Sequence, residues 1–426
     1  MSIPAGKFST TRRTLWHRVR VQLGVGLLLA VIIPFLVRYR LEYHLQDLDS
    51  LKNSGIATTI ALVAGYYGFR RVSFYPGVRA SYHIFPSFAI SYGLVLAVFF
   101  FARLDYSRIH FAASFLLSVL WYYVVYFKLQ RQQRLRIGVV PYGGVDHLFA
   151  IPDVSWIRLN RATDRDGSVD AIVADLHADI PDEWERFLAD SAIDGMLVMH
   201  VKQMEESITG RVAIEHLSEN NFGSLIPGIV YGKVKRLWDL VLSLVALPFL
   251  VPFLFLVGLI VRLDSGGPIL FTQERMGYRG KPFVMIKFRT MKHQREVDDA
   301  RSDAITRDDD ERITRVGRFL RRYRIDELPQ VVNIIRGEMS WIGPRPEAVS
   351  LSKWYEAELP FYRYRHIVRP GITGWAQVRQ GHVAEVEDVL WKLHYDFYYV
   401  KNFSFWLDLL IIARTVRTVL SGFGAR

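Results

Sequence analysis

The chain contains no cysteine among its 426 residues. This absence excludes a disulfide framework, a cysteine-ligated zinc or iron–sulfur site, and a thiol nucleophile. Internal repeats and low-complexity segments are absent as well, and no small-residue cleavage site follows the first hydrophobic segment, which argues against a cleaved signal peptide. At roughly 150 residues per domain, the length predicts about three structural units.

Acidic residues are outnumbered by basic ones. Lys and Arg total 54 against 42 Asp and Glu, which leaves a net charge of +12, and 50% of the residues are hydrophobic. A basic, apolar chain favours an anionic partner, and a membrane surface, a nucleic acid and a phosphorylated substrate all fit. Nucleic acid is the weakest of the three, because the charges bracket hydrophobic segments and a phosphate-binding pattern described below.

Four hydrophobic runs dominate residues 1–134. Each has about 17 to 19 residues, close to the minimum for crossing a bilayer core of about 30 Å. They predict a bundle of four transmembrane helices, with core helices of a soluble domain as the alternative. The second run is the weakest, since polar residues dilute it. The runs are 21–37, 51–69, 84–101 and 111–127.

Basic residues lie before the first run, between the second and third, and after the fourth. By the positive-inside rule, these segments are expected on the cytoplasmic side. The residues are Lys7, Arg12, Arg13, Arg18 and Arg20, then Arg70, Arg71 and Arg79, and finally Lys128, Arg131, Arg134 and Arg136.

Residues 135–229 change to short apolar segments separated by polar ones. Segments 136–141, 170–176 and 195–199 predict buried strands, and 181–192 predicts a helix with proline at its start. Strands alternating with helices predict a small doubly wound α/β domain. Tyr142-Gly143-Gly144 suggests a nucleotide-binding turn, but the full Gly-x-Gly-x-x-Gly spacing is missing, which favours a structural or regulatory domain over dinucleotide binding.

The third unit, residues 230–426, opens with an apolar stretch at 240–261 that contains Pro248 and Pro252. Proline inside a helix removes a hydrogen bond and kinks or breaks the helix. Basic residues flank the stretch at both ends, so neither end is marked as external. We expect a re-entrant helix at 234–262 that breaks at Pro252 and returns to the same face, with a fifth full crossing as the alternative.

The densest cluster of unusual residues surrounds Asp326 and Glu327. They stand just before the apolar segment 331–335, which Gly337 terminates. Asp326 is therefore expected at or near a helix N-cap, with Pro329 in the first turn. The free N–H groups of a helix N-terminus keep a carboxylate ionised and attract phosphate oxygens.

Two adjacent carboxylates repel each other at a phosphoanhydride unless cations lie between them. Asp can serve as a covalent nucleophile, and Glu is a hard oxygen ligand that suits Mg²⁺. For an isolated Asp-Glu pair, a helix cap and a solvated acid are the plain alternative. Here Arg345, held between two prolines, has a stiff backbone that suits bidentate phosphate binding. Lys287 and Arg289 add two cations on one side of a strand-like segment.

Several sequence blocks together resemble the bacterial sugar transferase family, which comprises the polyprenyl-phosphate sugar-1-phosphate transferases, also called monotopic phosphoglycosyl transferases. The resemblance covers residue 233 to the C-terminus. The blocks are Arg236-Leu237-Trp238-Asp239, Gly267-Pro268, Phe271-x-Gln273-Glu274-Arg275-x-Gly277, Lys287-Phe288-Arg289-Thr290-Met291, Asp326-Glu327-Leu328-Pro329-Gln330, Gly343-Pro344-Arg345-Pro346-Glu347, Pro370-Gly371-Ile372-Thr373-Gly374-Trp375-Ala376-Gln377 and Lys392-Leu393-x-Tyr395-Asp396-x-Tyr398-Tyr399, with Asp408 in the final helix.

The resemblance implies a reaction in two steps. Asp326 would attack the β-phosphate of a UDP-sugar, UMP would leave, and undecaprenyl phosphate would then take up the phosphosugar from an aspartyl intermediate. The lipid product starts an exopolysaccharide, capsule or O-antigen unit. Glu327 would hold Mg²⁺. By the resemblance, Arg345 would bind a substrate phosphate. Lys287 and Arg289, as cations on one side of their segment, are expected to bind phosphate too, and Arg324, where the chain departs from the family, would add a further phosphate contact.

The resemblance also implies a layout. Large members of the family carry four membrane helices and a degenerate nucleotide-binding-like domain before a catalytic unit on the cytoplasmic face of the bacterial inner membrane. Glucose and galactose are the first sugars to expect, N-acetylated hexosamines stay open, and so does a homodimer. Thr373, Trp375 and Gln377 are expected to form a wall of the nucleotide site, with a role in folding as the alternative. The chain departs from the family at Val251, where a Ser usually precedes the proline, and at Arg324, where a small polar residue is common.

Two other functions fit the sequence. A membrane glycosyltransferase would transfer the sugar without its phosphate, so it would release UDP where the favoured reaction releases UMP. A non-catalytic scaffold of an envelope assembly complex would use the middle domain for binding and would not need Asp326. The released nucleotide tests the first alternative, and replacement of Asp326 tests the second.

Overall fold

The computed structural model describes residues 18–42, 48–73, 81–130, 136–152, 154–162, 169–214, 227–291, 312–380 and 386–421. The chain forms two compact units, Met1–Gly210 and Arg211–Arg426. The first contains apolar helices and a small parallel sheet, and the second contains the longest helix and the Asp-Glu pair. Among the predicted basic flanks, Lys7, Arg12, Arg13, Arg79, Arg131 and Arg134 lie outside the described residues.

Long helices account for most of the first unit. Aromatic rings fill the space between them: the Phe88 and Tyr122 ring centroids are 4.9 Å apart, and those of Tyr66 and Tyr122 are 5.2 Å apart. All three side chains are buried. The helices are α1 (Val19–Leu27), α2 (Ile33–Glu42), α3 (Leu48–Val72), α4 (Ser81–Ala102) and α5 (Arg108–Gln130), and a π-helical turn at Leu28–Ile32 links the first two.

Four segments of the described residues are long and apolar enough to cross a membrane: Val19–Arg40, His83–Ala102, Arg108–Lys128 and Ile229–Asp264. The number four was expected, but α3, formed by the second run, is replaced in this set by the long helix of the second unit. The polar residues that weaken α3 lie in its packed face. Ser54 and Thr58 are fully buried and donate to the carbonyl groups of Ser50 and Ser54. A crossing by α3 stays a prediction.

A four-stranded parallel sheet follows α5. Its strands are β1 (Arg136–Val139), β2 (Ser155–Arg158), β3 (Ala171–Ala174) and β4 (Leu197–His200), and their order in the sheet is β2-β1-β3-β4. The three predicted strands are confirmed, and a fourth, β2, was missed because its four residues are only partly buried and give no continuous apolar run. Pro181 is the N-cap of the predicted helix. The helices of this part are α6 (Asp182–Ile193), between β3 and β4, and α7 (Val201–Thr209), after β4.

The second unit is mostly helical, with one antiparallel hairpin and one parallel strand pair. Its elements are α8 (Ile229–Ser265), β5 (Leu270–Met276), β6 (Pro282–Phe288), α9 (Arg315–Arg322), a 3₁₀ turn at Ile325–Gln330, α10 (Val331–Arg336), β7 (Ser340–Ile342), α11 (Val349–Glu358), a 3₁₀ turn at Tyr362–Ile367, β8 (Gly371–Thr373), α12 (Trp375–Arg379), α13 (Val386–Lys401) and α14 (Phe405–Ser421).

In the structure, the second unit begins at Arg211. The backbone N–H of Val212 donates to the carbonyl of His394, and the Arg211 guanidinium lies 4.2 Å from the Trp391 ring centroid. Both contacts join the segment to α13. The division of the chain into three parts at 134 and 229 stays a prediction.

The helix α8 continues through Pro248 and Pro252 without interruption, so the predicted break at Pro252 is not confirmed. The two prolines are four residues apart, so the hydrogen bonds that they remove lie on the same side of the helix. The helix therefore bends more easily at this point. Re-entry into the membrane from one face stays a prediction.

Close backbone contact fixes the segment that carries Arg345. Strands β7 and β8 pair in parallel, with Ser340 opposite Gly371 and Ile342 opposite Thr373. A Cβ atom on Gly343 would lie 2.3 Å from the carbonyl oxygen of Arg369, so only glycine fits there. The Pro-Arg-Pro segment therefore leaves the strand pair from a fixed point.

Asn333 joins the hairpin to α10 from a fully buried position. Its Nδ2 donates to the Val284 carbonyl and to Glu338 Oε2, each at 2.7 Å, and its Oδ1 accepts from the backbone N–H of Ile286 at 3.2 Å.

We expect Asn333→Ala to lower the free energy of unfolding by about 2 to 3 kcal/mol, because buried polar partners are left without hydrogen bonds. Denaturant unfolding of the detergent-solubilised protein measures this change. The neighbouring, more exposed Val332→Ala serves as the control, with an expected change within about 0.5 kcal/mol. Equal values for the two variants would contradict the prediction.

Candidate active site

Asp326 and Glu327 lie in the 3₁₀ turn that leads directly into α10. Arg324 precedes the turn with a left-handed backbone, φ 57° and ψ 23°, and this conformation redirects the chain after α9. Arg324 is the N-cap of the turn, and Asp326 is the second residue of the turn, close to the N-cap position predicted for it. Both carboxylate residues are buried, with exposed fractions of 7% and 4%.

The Glu327 carboxylate is held by two guanidinium groups. Its Oε1 accepts from Arg345 Nη2 at 2.8 Å and from Arg324 Nη1 at 3.2 Å. Burial by itself raises the pKa of this carboxyl, but the positive charges of Arg345 and Arg324 lower the pKa to about 2. Glu327 is therefore ionised at neutral pH.

The Asp326 carboxylate has a different environment. Burial and the adjacent Glu327 charge raise the pKa of Asp326 to about 6, while Lys287, Arg321 and Arg324 oppose this shift. Within the described residues, Asp326 Oδ1 is buried without a hydrogen-bond partner. The two neighbouring acids thus have pKa values shifted in opposite directions, which is common where two carboxylates take different chemical roles.

The hairpin brings Lys287 to the pair. Its Nζ lies 5.0 Å from the ring centroid of Phe271 on the opposite strand. Partial burial, together with Arg275 and Arg345, lowers the pKa of Lys287 to about 8. Arg289 follows the strand, and its guanidinium packs so closely on Gly267 that a Cβ there would lie 1.9 Å from Nη1. Phosphate binding by Arg289 stays a prediction.

Two further arginines hold the backbone around Arg345. Arg365 Nη2 donates to the Arg345 carbonyl at 2.9 Å, and Arg275 Nη1 donates to the Pro346 carbonyl at 3.0 Å. These bonds, with the flanking prolines, fix the direction from which the Arg345 side chain reaches Glu327.

Arg365 belongs to a buried ionic cluster that sequence reasoning did not assign to the site. Its Nη2 lies 2.8 Å from Asp396 Oδ2, and Lys392 donates to Glu347 Oε1. Arg365 and Asp396 are 3% and 1% exposed. A signal was present, because Lys392 and Asp396 are four residues apart and therefore share one face of α13.

The chain is similar to known proteins over most of its length. The family described as bacterial sugar transferase matches residues 230–422. A UDP-N-acetylgalactosamine-undecaprenyl-phosphate N-acetylgalactosaminephosphotransferase from Aeromonas hydrophila is 40% identical over 404 residues, which cover 94% of this chain and 95% of that protein. The chain belongs to the bacterial sugar transferase family.

Other relatives match a smaller part of this chain. A UDP-glucose:undecaprenyl-phosphate glucose-1-phosphate transferase from Caulobacter vibrioides is 42% identical over 201 residues, 47% of this chain and 74% of that protein. The protein of the same name from Escherichia coli is 41% identical over 185 residues, 43% of this chain and 39% of that protein.

The three residues expected at the nucleotide site of this sugar transferase have internal partners. Trp375 is fully buried, with its ring 5.8 Å from that of Tyr398. Thr373 Oγ1 lies 2.7 Å from Thr415 Oγ1, and Gln377 Nε2 donates to the Ile372 carbonyl at 3.1 Å. Each residue thus contributes to packing around β8, and a nucleotide wall formed by them stays a prediction.

The donor set at the Asp-Glu pair fits the magnesium ion implied for this family. Carboxylate oxygens are the ligands that Mg²⁺ prefers. Both hydrogen bonds to Glu327 end on Oε1, and Asp326 Oδ1 is buried without a hydrogen-bond partner among the described residues. A divalent cation would relieve the repulsion between the two carboxylates.

The glycine turn after β1 is filled from within the protein. Asp175 Oδ2 accepts from the backbone N–H of Gly144 at 3.0 Å, and a Cβ on Gly143 would lie 2.4 Å from the same oxygen. This carboxylate occupies the place where a dinucleotide phosphate would bind such a turn. A structural or regulatory role for residues 135–229 stays a prediction.

Asp175 also lies beside two histidines at the carboxyl end of the sheet. His177 Nδ1 is 2.8 Å from His200 Nε2, which is 3.4 Å from Asp175 Oδ1. However, His200 Nδ1 accepts from the backbone N–H of Lys202, so the neutral ring carries its proton on Nε2. The group is therefore a hydrogen-bonded cluster that caps α7, and its His200 has no lone pair directed at a metal.

Proposed function

We propose that this protein transfers a sugar-1-phosphate from a UDP-sugar to undecaprenyl phosphate and releases UMP. The observation that carries the proposal is the buried Asp326 carboxylate, whose Oδ1 has no hydrogen-bond partner among the described residues, next to a Glu327 that Arg345 and Arg324 keep ionised. The names of the relatives, which describe sugar-phosphate transfer to undecaprenyl phosphate, support it.

The first step forms a covalent intermediate. An Asp326 carboxylate oxygen attacks the β-phosphorus of the UDP-sugar, and the bond from this phosphorus to the oxygen bridging the α- and β-phosphates breaks. UMP leaves with the electron pair of that bond, and an aspartyl-phosphosugar remains. In the second step, a phosphate oxygen of undecaprenyl phosphate attacks the same phosphorus, the Asp326 carboxylate is released, and undecaprenyl-diphospho-sugar forms.

The surroundings of the pair suit this chemistry. Phosphoryl transfer depends mainly on positioning and charge neutralisation. Four cationic side chains act on the two carboxylates, namely Lys287, Arg321, Arg324 and Arg345. The four cations outnumber the two carboxylates, so a diphosphate that enters the site meets a net positive charge even though the attacking Asp326 carboxylate is an anion.

Glu327, with the free oxygen of Asp326 beside it, would hold Mg²⁺. The bound ion would neutralise the negative charge of the substrate phosphates, because the arginines of the site neutralise only a part of it. We expect excess chelator to stop turnover and added Mg²⁺ to restore it, with UMP release as the measurement. Glu327→Gln should raise the Mg²⁺ concentration needed for half-maximal activity. Full activity of the wild-type protein in excess chelator would contradict a metal requirement.

We place the reaction on the cytoplasmic face of the bacterial inner membrane, with α8 as a re-entrant helix. Lys235, near the start of α8, bonds Asp408, and Val261, near its end, packs against Phe288 and Leu320. Both ends thus contact the same unit. The segment between the buried Ser243 and Val257 is exposed or half-buried. Its length of about 13 residues covers about 20 Å, which is less than a bilayer core of about 30 Å. This difference favours a shallow excursion over a fifth crossing.

For the sugar we propose N-acetylgalactosamine ahead of glucose and galactose. The relative named for N-acetylgalactosamine matches 94% of this chain, whereas the relatives named for glucose match 47% and 43%. The product would start an exopolysaccharide, capsule or O-antigen unit.

A panel of UDP-sugars tests the function. The purified protein is incubated with undecaprenyl phosphate and UDP-N-acetylgalactosamine, UDP-N-acetylglucosamine, UDP-glucose or UDP-galactose, and the released nucleotide is identified. We expect UMP with UDP-N-acetylgalactosamine at the highest rate. UDP as the product would instead identify a glycosyltransferase, and no lipid-linked product with any sugar would favour the scaffold function.

A further inference from the structure

A cavity of about 630 Å³ lies beside the first turns of α8. Among the described residues, those of the Asp-Glu site do not line it. Its lining has a basic part and an apolar part. The basic part is Lys233, Lys235, Arg236, Arg279 and Arg369, and the apolar part includes Ile229, Ile367, Val368 and Phe403.

Two arginines form a rigid floor. Arg236 donates to the carbonyl groups of Ile334 and Ile335, at 2.5 and 2.9 Å, and Arg369 Nε donates to the Gly337 carbonyl at 3.0 Å. These carbonyl groups end α10, and they fix the guanidinium groups without neutralising them, because a carbonyl carries no net charge.

The positive charge of the cavity is not balanced from within the protein. Lys235 is paired with Asp408 at 2.6 Å. In the part of the chain that the structure describes, no carboxylate lies within 4.0 Å of the charged atoms of Lys233, Arg236, Arg279 or Arg369, and Asp239 is the single acid in the lining. Four cations thus face one carboxylate.

The start of α8 adds to this charge. Gly228 is its N-cap and has no side chain to accept from the first backbone N–H groups. The amino end of a helix carries a partial positive charge and binds phosphate oxygens readily. The helix end and the side chains are independent features that favour the same kind of ligand, an anion with several oxygens.

The outer side of the same turns is apolar and exposed. Val230, Leu237 and Trp238 are 77%, 62% and 52% exposed. They belong to a helix long and apolar enough to enter a membrane, and tryptophan is enriched at the level of lipid headgroups. The mouth of the cavity therefore lies where a headgroup phosphate and the first carbons of its chains are found.

We propose that this cavity binds the headgroup of an anionic phospholipid. The phosphodiester would lie on Arg236 and Arg369 with Lys233 and Arg279 at the rim, and the glycerol and upper acyl carbons would contact Ile229 and the other apolar lining residues. A zwitterionic headgroup fits less well, because its own ammonium group adds a positive charge. Inorganic or nucleotide phosphate shares the anion chemistry but not the apolar contacts.

Thermal unfolding of the full-length protein in a neutral detergent tests this site. The probes are dioctanoyl phosphatidylglycerol, dioctanoyl phosphatidylcholine and inorganic phosphate. We expect a saturable rise in unfolding temperature with phosphatidylglycerol and little change with the other two, because a ligand of the folded state stabilises it by mass action. An equal rise with phosphatidylcholine would overturn the charge argument, and an equal rise with inorganic phosphate would assign the cavity to a soluble ligand.

A charge-removal variant ties the effect to the cavity. Lys233 and Arg279 are exposed rim residues, so Lys233→Gln with Arg279→Asn should fold; asparagine is chosen because Arg279 has a positive φ of 57°. We expect its half-saturating phosphatidylglycerol concentration to rise about tenfold or more. The control Arg186→Gln with Lys353→Gln removes two exposed charges elsewhere and should match the wild type.

A second measurement does not depend on any variant. Native mass spectrometry of the wild-type protein, offered the two lipids at equal concentration, should show retention of one phosphatidylglycerol per chain. Equal retention of both lipids, or a charge-removal variant that binds as the wild type does, would overturn the proposal.

Discussion

Asp326→Asn is expected to abolish UMP release and the covalent phosphosugar adduct, with a loss of activity on the order of 10⁴-fold or more. Asparagine keeps the size of the side chain but removes the nucleophilic oxygen charge, so substrate binding can persist while the first step cannot occur. Steady-state UMP release gives the rate, and mass spectrometry of protein incubated with the UDP-sugar alone detects the adduct. Retention of either signal would contradict the nucleophile assignment.

Stability separates this result from misfolding. Burial and Glu327 raise the pKa of Asp326 from 3.8 to about 6 in the folded protein. A raised carboxyl pKa contributes stability below the unfolded value of about 4, and this contribution is lost as the pH rises through about 6. At pH 7.5 in excess chelator, the ionised carboxylate therefore destabilises the fold, and Asp326→Asn should unfold at the same or a higher temperature. Asp146→Asn, an exposed site in the other unit, should keep full activity.

Arg365→Lys is expected to lower kcat by about 10- to 100-fold, although Arg365 touches neither carboxylate of the Asp-Glu pair. A lysine keeps a positive charge next to Asp396 but cannot donate at once to the Tyr362 hydroxyl and to the Arg345 carbonyl, as the two arms of the arginine fork do. The Arg345 backbone then loses a fixed support, and its side chain loses its alignment on Glu327. Arg365 acts here as a positioning residue.

The kinetic pattern distinguishes positioning from simple destabilisation. Displacement of Arg345 should lower kcat per folded molecule and leave KM for the UDP-sugar within a few-fold, with folded protein quantified by size-exclusion chromatography. The same substitution at the exposed neighbour Arg363 provides the control and should leave kcat unchanged. If Arg365→Lys reduced only the yield of folded protein, the positioning role would be wrong.

Local sequence carried most of the information about the reacting pair. Asp326 and Glu327 precede a short apolar segment that ends in glycine, and this pattern alone places them in the first turn of a helix. The structure adds Arg324 as the N-cap in a left-handed conformation, which a sequence pattern does not predict for arginine.

In the first unit, the sequence predicted some elements and missed others. Strands with continuous apolar runs, such as 136–141, were identified, whereas β2 was not, because partly buried edge residues need no such run. The second hydrophobic run forms α3, but the buried Ser54 and Thr58 bond to the backbone of their own helix and lower its hydropathy. The sequence already showed this weakness, because these polar residues make the second run the weakest of the four.

The sequence by itself determined the chemistry available to this protein, since it contains no thiol and presents an acid pair, a proline-flanked arginine and basic ends on its hydrophobic segments. Only the tertiary structure decided how those groups act. Glu327 is ionised because Arg345, more than a dozen residues away, reaches it, and Arg345 is fixed because Arg365 holds its carbonyl. The arginines at Glu327 and the burial of Asp326 then shift the pKa values of the two adjacent acids in opposite directions, a result of distances and desolvation that no linear pattern encodes.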